Sequence, residues 1–222
     1  MDNTIQYIQK GDIVVLASEY TAFYREYDEA SDELLRIVVD VNRSNIKLLS
    51  TKQLLNCLPH IPKFSLSKFN PIKYVVLTDL SFGVYGVHSF NQYGDAYKHW
   101  GLNRNKIIPM ASLNNAKLNT EVIQGIKKFQ SEVSAKGATL LVSFPVMQDI
   151  SFKKSSEAIK KIEAQYIKNG FTILGTPERY MVPDSLLFDN TGHSTKEGAD
   201  YRTQLLIEDL KSVLTHIAHY PE

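Results

Sequence analysis

Apolar residues gather in three short uninterrupted runs, set among longer stretches of mixed polarity. "DIVVLAS" (12–18), "ATLLVSFPV" (138–146) and "FTILG" (171–175) have the length of strands. A β-branched run without polar alternation marks a strand covered on both faces, as in a parallel sheet. Between and after these runs the pattern turns helical. "TEVIQGIKKFQSEVSAKG" (120–137) reads as a helix with Thr120 as N-cap and Gly137 as its close. "SSEAIKKIEAQYIKNG" (155–170) is a second capped helix, and a strongly amphipathic third runs from about 195 to 218. Helices alternating with buried strands predict right-handed βαβ crossovers over a parallel sheet.

The first half has a different texture. "TIQYIQ" (4–9) is a helical stub ended by Gly11. From Thr21 to about Leu58 helical patterning dominates, with a start signal in "SDELLRIVVDV" and continuation through "IKLLSTKQLLNCL". "HIPKF", flanked by Pro59 and containing Pro62, reads as a break. "IKYVVLTDLSFGVYGV" (72–87) reads as a buried helix, with a strand as the alternative because of its β-branched residues. Residues 88–118 are loop-like. The expected architecture is a single α/β domain over 1–222: a three-layer α/β/α arrangement with a mainly parallel sheet and a helical, loop-rich insertion at 25–118. Catalytic groups in such sheets cluster at the carboxyl ends of the strands, which puts Ser18, Glu19, Phe144, Pro145 and the loop 175–193 on one rim.

Composition narrows the function. Twenty-five basic against 24 acidic residues leave a net charge of +1. Nothing in that balance favours nucleic acid or an anionic membrane surface. No apolar run reaches the ~20 residues of a spanning helix, and no signal peptide is readable, so the chain as written looks cytoplasmic. The single Cys57 leaves no partner for an internal disulfide and reads as a buried small apolar residue. His216 and His219 have no third ligand nearby in sequence, so no metal centre is expected. The chain has neither a phosphate loop nor a dinucleotide fingerprint, so no cofactor is expected.

Candidate chemistry concentrates in "LLFDNTGHSTKEG" (186–198). Asp189 four residues before His193 suits a carboxylate that fixes an imidazole's tautomer and steadies its cation, with Gly192 giving freedom to turn. The same letters also suit a plain surface loop. In that reading Asp189 caps a turn, and Ser194 or Thr195 pairs with Glu197 to start the last helix. In "SFNQYGDAYKHW", Asn91, Gly94, Asp95 and His99 share a neighbourhood with Tyr93, Tyr97 and Trp100. Asn91 could donate to an oxyanion or a sugar hydroxyl, or equally organise an Asx turn.

The block "FDNTGHSTKEGADYRTQLLIEDL" resembles the final block of the SGNH (GDSL-type) hydrolase superfamily, although the spacing is Asp-x-x-x-His rather than the commoner Asp-x-x-His. "KGDIVVLASEYTAFY", "SFNQYGDAYKHWG" and "TLLVSFPVM" resemble a bacterial branch of it associated with acyl-group chemistry in the cell envelope. The resemblance implies an SGNH/flavodoxin-like fold and an acyl-ester hydrolase or O-acyltransferase acting on a cell-envelope polysaccharide. His193 would be its base and Asp189 the group that orients it. It also implies a serine block and a Gly-x-Asn-Asp block, neither of which stands in this chain. The expectation is that the serine segment lies upstream and that the chain is truncated and inactive. The competing register puts Ser18 in the nucleophile's place, with Ala17 and Glu19 where Gly and Asp are expected. The residues expected to bind substrate are Glu19, Tyr20, Asn91, Gly94 and Asp95. The implied partner is an acylated glycan or another small ester, the implied location extracytoplasmic, and an oligomer is compatible with an exposed sheet edge. A non-catalytic domain that binds glycan or protein through the same rim is the alternative.

Overall fold

The computed structural model describes residues 2–25, 29–41, 43–69, 84 and 89–219. The chain forms two compact units, residues 3–25 with 99–222, and residues 26–98. Apart from Val84, the helix expected over 72–87 lies outside the described residues, as do the side chains of His216 and His219. In chain order the elements are α1 (Asp2–Ile5), β1 (Ile13–Leu16), α2 (Asp32–Arg36), α3 (Thr51–Cys57), α4 (Ile61–Lys68) and α5 (Thr120–Ala135). They continue with β2 (Thr139–Val142), β3 (Met147–Gln148), α6 (Asp149–Lys154), α7 (Ser156–Lys168), β4 (Thr172–Ile173), β5 (Met181–Val182) and α8 (Lys196–His219).

The first unit is mixed α/β, with helices about a small parallel sheet, in keeping with a three-layer α/β/α fold. The sheet runs β1-β2-β4, with Ile13 opposite Thr139, Leu16 opposite Val142, and Val142 opposite Ile173. Central β2 has neighbours on both edges, and Leu140, Leu141 and Val142 are all buried, so both of its faces are covered. That double cover is what its unbroken apolar run encodes. The ladder stops sooner than the run predicts. Ser143 N still donates to Leu16 O at 2.9 Å, but Pro145 has no N–H to give. A second parallel pair, β3 with β5, follows at once. It was not expected, because two residues are too few to show a period.

Helices α5 and α7 cover the sheet with faces their sequences predict. Ile123, Ile126, Phe129 and Val133 of α5, and Ala158, Ile159, Ile162 and Tyr166 of α7, are buried in one core with Leu140, Val142 and Phe144. Tyr166 sits at its centre, 5.9 Å from the ring of Phe23, 5.8 Å from Phe144 and 5.6 Å from Phe171. Burying one such side chain stabilises by about 1.5–3 kcal/mol.

Several boundaries differ from expectation. The cap of α5 is Asn119, not Thr120: its Oδ1 accepts from Glu121 N at 2.9 Å while its Nδ2 donates to Arg25 O. Gly137 does close that helix, at φ +73°, where a side chain would be strained. Helix α6 occupies residues for which the sequence predicted no element. The buried hydroxyls of Ser151 and Ser155 accept from Met110 N at 2.9 Å and Leu113 N at 3.2 Å, so α6 fastens the segment 110–113 over the core. For the same reason residues 99–118 group with the first unit rather than with 26–98.

In the second unit α2 runs on into a π-type turn, Ile37–Val41, and Leu35, Cys57 and Phe64 form a small core. The break expected at "HIPKF" does not occur. A 3₁₀ turn, Leu58–His60, leads into α4, and Pro62 sits in its first turn. There an imide lacks only an N–H that the helix would leave unpaired. Asp32 pairs with Lys63 Nζ at 2.5 Å and His60 Nδ1 at 3.1 Å, and these two bonds hold its carboxyl below the ordinary range. No helix among the described residues is long and apolar enough to cross a membrane.

Candidate active site

The loop that carries Asp189 and His193 is a narrow hairpin between β5 and α8. Leu187 and Ser194 form an antiparallel bridge across its base. Phe188 N donates to His193 O at 2.8 Å, Asn105 N to Phe188 O at 2.8 Å, and Gln148 N to Thr191 O at 2.8 Å. Thr195 starts α8, its hydroxyl accepting from Gly198 N at 3.1 Å. Capping therefore falls to Thr195, and Asp189 remains turned toward the histidine. Gly192 does not supply the turn through a left-handed backbone, since its φ is not positive. The turn is made by Asn190, whose Oδ1 accepts from Gly192 N and His193 N, both at 2.8 Å.

Asp189 Oδ1 lies 2.9 Å from His193 Nδ1. Asn190 Nδ2 lies at the same 2.9 Å from that nitrogen. Both groups cannot be served by one Nδ1. With its oxygen fixed by two backbone donors, Asn190 can only offer N–H, whereas the carboxylate can only accept. A charge-assisted bond is about twice as strong as a neutral one, so His193 Nδ1 carries the proton and donates it in a hydrogen bond to Asp189 Oδ1. Nε2 then carries the lone pair that a general base needs. Asp189 is four-fifths buried at its side chain and His193 little more than half, so the carboxylate stands behind the ring.

His193 lines a pocket of about 290 Å³ together with Asn190, Thr191 and Gly192, Glu19, Tyr20 and Thr21, Arg25, Met110, and Pro145, Val146 and Met147. Glu19, Tyr20 and Thr21 follow the carboxyl end of β1, and Pro145 and Val146 that of β2, on the expected rim. The 3₁₀ turn Tyr20–Tyr24 explains the wall after β1. Its three-residue repeat turns Tyr20 and Phe23 inward, and Glu19 and Thr21 are left at the mouth. The Tyr20 ring packs edge-on to Phe152 at 6.4 Å. Burial, with Tyr166 adding to it, raises the Tyr20 hydroxyl far above the usual tyrosine range. Met110 brings the pinned 110–113 segment into the wall. An adjoining recess of similar size is lined by Lys106, Ile108, Met110, Asp189, Asn190 and Thr191.

Of the residues singled out in the sequence, His193, Glu19 and Tyr20 share the pocket, and Asp189 supports it from behind. Ser18 stands half-buried after β1 and does not line the pocket. Asn91, Gly94 and Asp95 belong to the second unit. There Asn91 Oδ1 accepts from Tyr93 N and Asp95 N at 2.9 Å, and its Nδ2 donates to Asp95 Oδ2 at 2.9 Å. Gly94 takes φ +88° in that turn. Sequence reasoning missed Gln148. Fully buried, it donates from Nε2 to Asp184 Oδ1 at 2.7 Å and accepts from Ser151 Oγ at 2.5 Å. A Gln at the end of an apolar run was the only signal it gave. Among the described residues no three of His, Cys, Asp and Glu come together to hold a metal ion. Comparison of the chain with protein-family models, curated proteins and solved structures returns no match, so its functional reading rests on this pocket and the residues that build it.

Proposed function

We propose that the pocket is the acyl-transfer site of an SGNH-like domain, an acyl-ester hydrolase or O-acyltransferase acting on a cell-envelope polysaccharide. The observation that carries the reading is the Asp189–His193 pair, 2.9 Å apart, on a loop fastened to its neighbours and facing a pocket of substrate size. In this scheme His193 Nε2 takes the proton of a serine hydroxyl as it attacks the acyl carbonyl. Asp189 stabilises the imidazolium, and the proton then passes to the leaving alkoxide. Glu19 and Tyr20 contact the acylated glycan. Met110, Val146 and Met147 give the acyl group an apolar wall.

That Ser18 does not line the pocket favours the second reading, a domain that binds glycan or protein there without catalysis. Incubation with p-nitrophenyl acetate and a serine-directed phosphonate, followed by peptide mass spectrometry, separates the two. The catalytic reading expects turnover, and a phosphonyl adduct on one serine that is lost in H193Q. No turnover and no adduct, with retained binding of an acetylated glycan, would establish the binding reading instead.

A further inference from the structure

His99 lies in the first unit, before the segment that wraps the hairpin. It is 7% exposed. Its Nε2 is 2.9 Å from Ser194 O, and its ring packs on Phe188 with centroids 4.9 Å apart. A carbonyl oxygen only accepts, so Nε2 holds the proton. Nδ1 is then a buried acceptor, and it has no hydrogen-bond partner. An apolar ring would remove the unpaired Nδ1 but would leave Ser194 O without this donor. What the imidazole adds is the N–H given to Ser194.

The place of that bond gives it meaning. Phe188 precedes Asp189, and Ser194 follows His193, so His99 touches both legs of the hairpin at its base. The carbonyl of His193 is already held by Phe188 N. The next carbonyl is held by His99. We propose that His99 is a positioning residue: its Nε2–H bond to Ser194 and its contact with Phe188 fix the backbone on which the Asp189–His193 pair is set. The proposal rests on the reading of that pair as an acid/base couple. A displacement of about 1 Å in such a group can cost 10²-fold in rate, and the His99 bond is one of those at the hairpin base that oppose such a displacement.

The test uses the whole chain labelled with ¹⁵N. In the wild type, long-range ¹H–¹⁵N spectra should show His99 protonated at Nε2 and His193 at Nδ1. A His99 protonated at Nδ1 overturns the proposal without any variant. H99Q keeps an N–H donor of similar reach, and H99F keeps the ring but not the donor. H99F should shift or broaden the His193 ring signals, and H99Q should restore them. If ester turnover is present, H99F should lower kcat about 10- to 100-fold with KM little changed, and H99Q should recover it. His193 signals unchanged in H99F, or displaced equally in H99Q, would overturn the proposal. Absence of turnover in every protein, with the spectra as expected, would instead remove the acyl-transfer reading and leave the clamp standing.

Discussion

Gly198 lies in the first turn of α8, pressed against the hairpin, and its replacement by Ala sets two effects of opposite sign against each other. A Cβ there would sit 2.1 Å from Leu186 O, 3.1 Å from Leu186 C and 3.1 Å from Ser194 Cβ. Ordinary contact begins near 3.4 Å, so helix and carbonyl must part by about 1.3 Å. The obstacle is a backbone oxygen that also accepts from Thr195 N at 2.9 Å, and it cannot rotate aside. Overpacking of this kind costs about 1–3 kcal/mol, here at the upper end. Against it, Ala is favoured over Gly within a helix by about 1 kcal/mol. The clash wins, with a net loss of roughly 2 kcal/mol. For a chain of this length 1 kcal/mol moves the midpoint by about 2–4 °C, so G198A should melt roughly 4–8 °C lower by calorimetry. Gly192 is the control. A Cβ there meets nothing nearer than Val146 O at 3.7 Å, and its φ is not positive, so G192A should melt with the wild type. A Tm for G198A equal to the wild type's, or above it, would refute the reasoning.

Other outcomes follow from the same contacts. If ester turnover is present, D189N should lower kcat by about 10²–10⁴-fold with little change in KM, because the ring loses the carboxylate that fixes its proton; steady-state kinetics read this directly. Q148L leaves Asp184 and the Ser151 hydroxyl without their buried partner and should lower stability by about 1–3 kcal/mol in urea titration. At alkaline pH the protein should lose stability. Burial and then the bond to Asp209 push Tyr180 up to about 12, and burial also raises Tyr20 and Tyr166. Tyrosines whose folded pKa exceeds the unfolded value near 10 bind more protons when folded. Their contribution is therefore whole below pH ~10 and is lost as pH climbs through the folded values. Thermal melts between pH 9 and 12 should show the fall, and Y180F should flatten it. Phenolate absorbance that accounts for all twelve tyrosines well before unfolding would contradict it.

What the sequence made legible follows from how each feature is encoded. β2 and the α5 and α7 faces were readable because burial on a sheet or helix face repeats over many residues. β3, β5 and α6 were not, because pieces of two to six residues show no period and are held by partners distant in the chain. The Asp189–His193 pair was readable because both members share one loop. The rest of its setting was not. Asn105, Met110 and Gln148 reach the hairpin or its pocket from other segments through backbone amides, and any residue but proline provides an amide. His99 was noticed beside Asn91, yet its contacts are with Phe188 and Ser194, nearly a hundred positions away. Pro62 misled because proline breaks a helix in its interior but is tolerated in the first turn, where it stands here.

The two serines under the segment 110–113 carry a consequence for how the pocket breathes. Met110 hangs on the Ser151 hydroxyl and Leu113 on that of Ser155. Ser151 is also bonded to Gln148, whose amide holds Thr191 at the hairpin tip. Wall and tip are thereby linked through one small polar hub. Lifting Met110 off Ser151 disturbs the anchorage of Gln148, and a shift at Thr191 is felt at Met110. The mouth should widen as a unit, with the amides of Met110, Leu113 and Gln148 exchanging with solvent together and faster than those of β2. Entry of a bulky ligand would then be gated by a few hydrogen bonds, while the apolar core beneath stays closed.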